Sequence, residues 1–256
     1  MRSIRTAVLA AWLYMLAPDL GAQKTPPFAP SDPFIAAIET IKQSVIAMDC
    51  LDASLAQAKV VKRIGSAFLI SESGDFVTAA HVLAAMQSED DPCPTSAITL
   101  PVGGWQPGAP TEDMFWFPFK ISDCKIDSGN DVAKCWLSGD LPARIRKLHL
   151  KAVQLDWGVP ADGRRVAFTG FPLEARDPMT FRAHVAAYRG PRPNLLTPEL
   201  VLDHASQPGF SGAPVFLADG TVVAILVRDG KPQAEGMSIA RPISAVREML
   251  IKTSEK

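Results

Sequence analysis

The sequence predicts an all-β protein of short antiparallel strands with one clearly helical segment, at the C-terminus. About a dozen short runs rich in apolar and β-branched residues recur along the chain, as in β-barrels and β-sandwiches. Clusters of glycine, proline and polar residues separate them, such as SESGD, PVGGWQPGAP and PADGR, and such clusters mark turns. The segment PISAVREMLIK repeats its apolar residues at helical spacing.

Helix-like spacing over residues 34–41 precedes the first strand. The expected strands cover residues 44–50, 67–70, 76–79, 98–102, 114–121, 132–137, 150–155, 166–171, 181–188, 200–202, 213–216, 222–227 and 237–239. They divide into two stretches of similar size, residues 34–148 and residues 149–256, the second including the terminal helix. Two six-stranded antiparallel barrels fit these lengths, and a single sandwich is the alternative.

The N-terminus has the layout of a secretory signal peptide over residues 1–22. Arg2 and Arg5 precede an apolar stretch at residues 7–17, and Gly21 and Ala22 supply the small residues of a cleavage site. About eleven apolar residues fall short of the ~20 that span a bilayer, so cleavage is favoured over an uncleaved membrane anchor. A Pro-rich flexible lead-in follows at residues 23–33. We therefore expect a secreted or periplasmic protein without stable membrane insertion after cleavage.

Size and charge narrow the function classes. A chain of 256 residues with 47% hydrophobic residues can bury a substantial core. The formal net charge of -1, with no basic block, argues against nucleic acid as a partner.

The cysteines are expected to form disulfides, because an exported protein enters an oxidising compartment. Four cysteines allow three pairings. The segment FKISDCKIDSGNDVAKCWL reads as a hairpin around a two-residue turn at Gly129 and Asn130, which sets Cys124 opposite Cys135 and leaves Cys50 for Cys93. Free buried thiols are the alternative. No C-x-x-C or His-x-x-x-His spacing predicts a metal site, and no cofactor is expected.

The segment QPGFSGAPVF places Ser211 between two glycines, where it is either a nucleophile on a tight turn or a loop hydroxyl. A serine nucleophile needs a base, and histidine titrates near neutral pH. His81 lies just after an expected strand and is the best candidate. The other histidines fit less well: His149 and His184 lie in strand patterns, and His204 precedes the serine by only seven positions.

Asp131 is the best candidate for the carboxylate that orients such a base. It follows a turn and leads directly into an apolar strand, which can hold a carboxylate rigidly; an ordinary turn residue is the alternative. The order His81, Asp131, Ser211 is that of chymotrypsin-like enzymes. The α/β-hydrolase order places histidine last, and no histidine follows His204.

These residues resemble a family. GSAFLISESGDFVTAAHVL, NDVA, LDHASQPGFSGAPVFLADGTVVAI and GMSIARPI are similar to the segments around the histidine, aspartate, serine and closing strand of trypsin-like serine peptidases of the bacterial HtrA type. The resemblance covers roughly residues 34–252, and no PDZ-like segment is expected after the last helix. It implies two perpendicular β-barrels with the active site between them.

The resemblance also implies roles. His81 is the general base, Asp131 its orienter and Ser211 the nucleophile, while the backbone N–H groups of Gly209 and Ser211 form the oxyanion hole. Ala205, Ser206 and Gln207 form one wall of the substrate pocket, facing an apolar wall near residues 225–228, so a small or medium apolar residue is the expected preference.

Three positions depart from the family pattern. Phe210 stands where the family has Asn and where trypsins have an Asp that pairs with a newly formed N-terminus, so no such activation is expected. Ala213 replaces a glycine, and Lys134 interrupts an apolar strand, which indicates an exposed face there.

The sequence therefore predicts a serine endopeptidase acting on protein or peptide substrates. An inactive relative that binds proteins is the alternative, and an esterase on an unrelated fold is a more distant one.

Overall fold

The computed structural model describes residues 32–52, 59–101, 104–105, 114–191, 193, 196–229 and 236–251. The predicted signal peptide and nearly all of the lead-in lie outside these residues. No helix in the described ranges is long and apolar enough to cross a membrane.

The first half of the described chain forms a seven-stranded antiparallel sheet. Its strand order is β5-β4-β1-β2-β3-β7-β6. In chain order the strands are β1 Val45–Asp52, β2 Lys59–Leu69, β3 Phe76–Ala79, β4 Thr95–Pro101, β5 Met114–Pro118, β6 Cys124–Asp127 and β7 Val132–Cys135.

The second half forms a closed six-stranded barrel with the order β10-β13-β12-β11-β8-β9. Its strands are β8 Arg165–Gly170, β9 Met179–Arg189, β10 Glu199–Leu202, β11 Pro214–Phe216, β12 Val222–Asp229 and β13 Ser238–Pro242. The all-β prediction and the six-stranded second barrel are confirmed. The first half differs from the expected six-stranded barrel, because the β6–β7 hairpin extends a sheet of seven strands.

The described residues also form four short α-helices: α1 Pro33–Lys42, α2 Ala80–Met86, α3 Leu141–Arg146 and α4 Arg247–Ile251. Asp32 caps α1 by accepting a hydrogen bond from the Phe34 N–H at 2.9 Å. That hydrogen bond is the largest of the effects that hold the pKa of the Asp32 carboxyl below its ordinary value. The predicted C-terminal helix is present as a 3-10 turn, Ile243–Val246, that leads into α4.

One predicted strand is wrong. Residues 150–155 do not form a strand: in the described chain they make one isolated bridge, between Leu155 and Val222, and the Val153 N–H donates a hydrogen bond to the Leu69 carbonyl oxygen of β2. The sequence also failed to predict the two short helices α2 and α3. Helices this short leave too few turns for a periodic pattern to show.

Lys134 also differs from its prediction. All four residues of β7 are buried, and the Lys134 side chain is covered rather than exposed. Its Nζ donates a hydrogen bond to the Leu250 carbonyl oxygen at 2.9 Å, which satisfies the buried amine. Burial lowers the pKa of the Lys134 ammonium below its ordinary value, partly opposed by the charge of Asp75.

The structure joins Cys50 to Cys93 and Cys124 to Cys135, the pairing that the hairpin register favoured. Cys124 lies directly opposite Cys135 in the β6–β7 ladder. The disulfides therefore fasten the hairpin and tie β1 to the segment between α2 and β4.

Candidate active site

His81 and Asp131 meet at the end of β3 and hold each other by two hydrogen bonds. The His81 ring nitrogen Nδ1 lies 2.8 Å from Asp131 Oδ2, and the His81 backbone N–H donates to Asp131 Oδ1 at 2.9 Å. Because the carboxylate engages both the ring and the backbone of one residue, it fixes the rotation of the imidazole. The remaining ring nitrogen, Nε2, belongs to a side chain that is 46% exposed.

The fold places Asp131 by pairing the strands on either side. Ala79 lies opposite Val132 in the β3–β7 ladder, so the residue before β7 faces the start of α2. The Ala80 N–H donates to the Asp131 carbonyl oxygen at 3.1 Å. Asp131 has a φ of +55°, a left-handed conformation that aspartate tolerates better than most residues.

The turn that ends with Asp131 has four residues, 128–131, so the predicted two-residue hairpin turn is wrong. The β6–β7 ladder closes at the pair Asp127 and Val132. The Asp127 carboxylate accepts hydrogen bonds from the backbone and side chain of Asn130, which shapes the longer turn. From the second barrel, Arg241 Nε donates to the Asn130 carbonyl oxygen at 2.8 Å and steadies the turn beside Asp131.

Ser211 lies beside the histidine segment. The Ser66 N–H donates to the Ser211 carbonyl oxygen at 2.9 Å. A Cβ placed on Gly65 would lie 2.8 Å from Val82 Cγ2 and 3.0 Å from the Ser211 carbonyl oxygen. A glycine at this position therefore lets the backbone of Ser211 approach the residue that follows His81.

The segment before Ser211 is a tight turn. The Phe210 N–H donates to the Gln207 carbonyl oxygen at 3.1 Å, and Gly209 has a φ of +98°. Proline and then glycine at the two central positions, with a positive φ at the glycine, are the features of a type II turn. Throughout the described residues, the N–H groups of Gly209 and Ser211 have no protein acceptor. Two donors two residues apart are thus available to an oxygen atom bound next to Ser211.

Phe210 anchors this turn inside the barrel. Its side chain is fully buried, and its ring packs at centroid distances of 5.0 Å against Phe168 and 5.0 Å against Phe181. His204 joins the same cluster, 5.0 Å from Phe181. Aromatic packing thus holds position 210, where the family pattern has a polar residue.

The predicted pocket residues flank the turn with unequal exposure. Ser206 is buried, Ala205 is half-buried and Gln207 is exposed. β12 runs beside the serine segment, because Leu226 exchanges backbone hydrogen bonds with Gly212 and Ala213. The apolar residues 225–227 on that strand are almost fully buried, so their side chains pack in the core rather than forming an open wall.

A second histidine–aspartate pair has nearly the same geometry. His184 Nδ1 lies 3.0 Å from Asp203 Oδ2, and the His184 N–H donates to Asp203 Oδ1 at 2.6 Å. Burial raises the pKa of the Asp203 carboxyl, but the hydrogen bonds from His184 outweigh it, so the net pKa lies below its ordinary value. His149 lies apart from both pairs, in the loop after α3. A histidine–aspartate pair alone is therefore not diagnostic here, and the neighbouring serine turn distinguishes His81.

Sequence reasoning missed Ser66. Its Oγ donates to the Gly209 carbonyl oxygen at 2.7 Å and accepts from the Phe171 N–H at 3.0 Å. The only signal was a hydroxyl residue directly before the expected strand 67–70. The described residues contain no group of three His, Cys, Asp or Glu side chains that could hold a metal ion.

Comparisons with known proteins agree with this geometry. The family model of the trypsin-like peptidase domain matches residues 65–225, more than half of the chain. No curated protein matches the chain significantly.

Among solved structures, the HtrA-type protease AlgW with a decapeptide superposes with a TM-score of 0.61 at 17% identity, over 85% of this chain. The match spans 66% of the AlgW chain and shows that the fold is shared. Because the family model covers more than half of the sequence, the chain belongs to the trypsin-like peptidase domain family.

Proposed function

We propose that the protein is a serine endopeptidase that hydrolyses peptide bonds through an acyl-enzyme on Ser211. Three features support this proposal: a histidine held by a carboxylate, a serine whose backbone accepts a hydrogen bond from Ser66 on β2, and two N–H groups in the serine turn that have no acceptor among the described residues. A nucleophile, its base and an oxyanion hole are the minimum that acyl transfer requires.

In the proposed mechanism, Ser211 Oγ attacks the carbonyl carbon of the scissile peptide bond. His81 Nε2 takes the hydroxyl proton and then gives it to the departing amine, which leaves Ser211 acylated. In the second half of the reaction, water attacks the acyl carbon while His81 Nε2 takes its proton. His81 then returns that proton to Ser211 Oγ, which frees the carboxylic acid product and the enzyme. Asp131 holds the Nδ1–H tautomer throughout and stabilises the imidazolium that forms.

The N–H groups of Gly209 and Ser211 stabilise the oxyanion of each tetrahedral intermediate. Preorganised donors of this kind contribute strongly because they need no reorientation as charge develops. The tight turn with its positive φ at Gly209, and the lack of an acceptor among the described residues for either N–H, support this role.

The proposed substrates are proteins or peptides, and the proposed location is outside the cytoplasm. The AlgW structure holds a decapeptide, which supports a peptide as the proposed ligand. The signal-peptide pattern over residues 1–22 and the two disulfides support export. The small side chains of Ala205 and Ser206 support a preference for small or medium apolar residues before the cleaved bond.

A fluorophosphonate probe tests the proposal, because it phosphonylates a serine only when that serine is activated. The protein from Gln23 onward is treated with the probe alongside Ser211→Ala and, as a matched control, Ser138→Ala, which removes an exposed loop hydroxyl. We expect the wild type and Ser138→Ala to be labelled equally and Ser211→Ala to remain unlabelled. A folded wild type that takes no label would overturn the proposal and favour a protein-binding module on the same fold.

A further inference from the structure

A buried ion pair lies outside the proposed catalytic residues. Arg63 on β2 and Asp49 on β1 form two parallel hydrogen bonds, Nε to Oδ1 at 2.8 Å and Nη2 to Oδ2 at 2.9 Å. The Asp49 side chain is fully buried and that of Arg63 is 8% exposed. Two-point pairing fixes the plane of the guanidinium as well as its position.

The same guanidinium reaches from the sheet to the loop that follows β8. Arg63 Nη1 donates to the carbonyl oxygens of Ala175 and Arg176 at 2.5 Å and 3.1 Å. Its Cζ also lies 4.8 Å from the centroid of the Phe171 ring. Arg63 thus fastens both ends of the segment between residues 171 and 176.

That segment has an unfavourable backbone. Leu173 and Glu174 have φ values of +51° and +58°, which non-glycine residues adopt only where their surroundings hold them. The Leu173 side chain is 68% exposed, so packing of that side chain does not stabilise the conformation. The contacts from Arg63 at the ends of the segment, together with the hydrogen bond of 2.8 Å from the Ala175 N–H to the Pro172 carbonyl oxygen within it, restrain the conformation.

The restrained segment contacts the serine turn at one atom. The Leu173 N–H donates to the Pro208 carbonyl oxygen at 2.7 Å. This carbonyl belongs to the peptide unit that also carries the Gly209 N–H, and the two groups of one peptide unit point in opposite directions. Holding the Pro208 carbonyl therefore fixes the direction of the Gly209 N–H.

Ser66 holds the next peptide unit of the turn. By bridging the Gly209 carbonyl oxygen and the Phe171 N–H, it links the turn directly to the start of the restrained segment. Type I and type II turns differ by rotation of the central peptide unit. Without these bonds the Pro208–Gly209 peptide is free to rotate and to turn the Gly209 N–H away.

We propose that Asp49, Arg63 and Ser66 are positioning residues that hold the oxyanion hole in its active form. This inference rests on the proposed function. It assigns to the Asp49–Arg63 pair a role in the orientation of the Gly209 N–H, acting through the segment 171–176, without contact with substrate.

The test compares substitutions at adjacent residues of β2. Arg63→Met removes the contacts to segment 171–176. Lys62→Met is the matched control, because Lys62 forms an exposed ion pair with Asp91. Since Arg63→Met leaves Asp49 buried without its partner, the double variant Asp49→Leu with Arg63→Met is included to keep the core neutral. Ser66→Ala removes the second restraint alone.

The readout is the second-order rate constant of fluorophosphonate labelling per folded molecule, with folding followed by circular dichroism. We expect it to fall about 10- to 100-fold in the Arg63→Met, double and Ser66→Ala variants, since small displacements of a donor have effects of this size. Lys62→Met is expected to stay within about twofold, as surface ion pairs contribute little.

A second readout separates positioning from general destabilisation. The pH profile of labelling is expected to keep its midpoint, because none of these substitutions touches His81 or Asp131. With an ester substrate, kcat should fall while KM stays nearly constant, as for loss of a transition-state contact. If the folded double variant and Ser66→Ala label as fast as Lys62→Met, the inference is overturned and the proposed function stands. A wild type that does not label overturns the proposed function instead.

Discussion

Replacement of His81 by alanine is expected to lower kcat by about 10⁶-fold, and Asp131→Asn to lower it by about 10⁴-fold. Without the imidazole, no group in the proposed mechanism takes the Ser211 proton. In Asp131→Asn, the amide disfavours the Nδ1–H tautomer that the carboxylate holds at 2.8 Å, so Nε2 no longer presents its lone pair to the serine.

The chain provides a matched control for this prediction. His184 and Asp203 have the same two hydrogen bonds as His81 and Asp131. His184→Ala is therefore expected to leave kcat within about twofold of the wild type, because surface substitutions away from such sites have small effects. The kcat of all three variants is measured by steady-state hydrolysis of an activated ester. A loss of equal size in His184→Ala and His81→Ala would contradict the assignment of the base.

Replacement of Phe210 by alanine is expected to lower the free energy of unfolding by about 3–5 kcal/mol, the usual cost of deleting a buried phenylalanine ring. The ring is completely buried between Phe168 and Phe181, and its removal leaves a cavity beneath the serine turn. Phe210→Asp should be more damaging still, because it buries a carboxylate among aromatic rings. Urea unfolding followed by tryptophan fluorescence gives the measurement.

Phe115→Ala serves as the control, because Phe115 lies on β5 and is 37% exposed. We expect its cost to stay below about 1 kcal/mol. The buried Phe210 ring also affects how the enzyme could be activated. The turn has no buried carboxylate that could pair with a newly formed N-terminus. A folded Phe210→Asp protein whose activity depended on N-terminal processing would contradict this view of the turn.

Much of the fold and the best candidate residues could be predicted from the sequence, because those signals are local. Alternating apolar runs and turn residues predicted most strands, and the hairpin register favoured the pairing of Cys124 with Cys135. Chain order, rather than any single motif, separated His81 and Asp131 from other histidines and carboxylates.

The remaining features depend on distant parts of the chain. Nothing near Arg63 in the sequence indicates that it reaches the Ala175 carbonyl, since the two residues meet only when the sheet and the barrel loop are folded. Lys134 was expected to be exposed because charged residues in strands usually face solvent. Its Nζ instead donates to the Leu250 carbonyl oxygen, a buried acceptor that is distant in the sequence. The strand expected at 150–155 is absent because its apolar residues pack against the core while the backbone makes one isolated bridge and no continuous ladder.

Cleavage of an unfolded protein tests the proposed peptidase most directly. The wild type and Ser211→Ala, each from Gln23 onward, are incubated with reduced and alkylated casein, and new peptide ends are identified by mass spectrometry. The proposed mechanism predicts new ends with the wild type and none above background with Ser211→Ala. Intact casein bound equally by both folded proteins would contradict it and would identify a binding module on a peptidase fold.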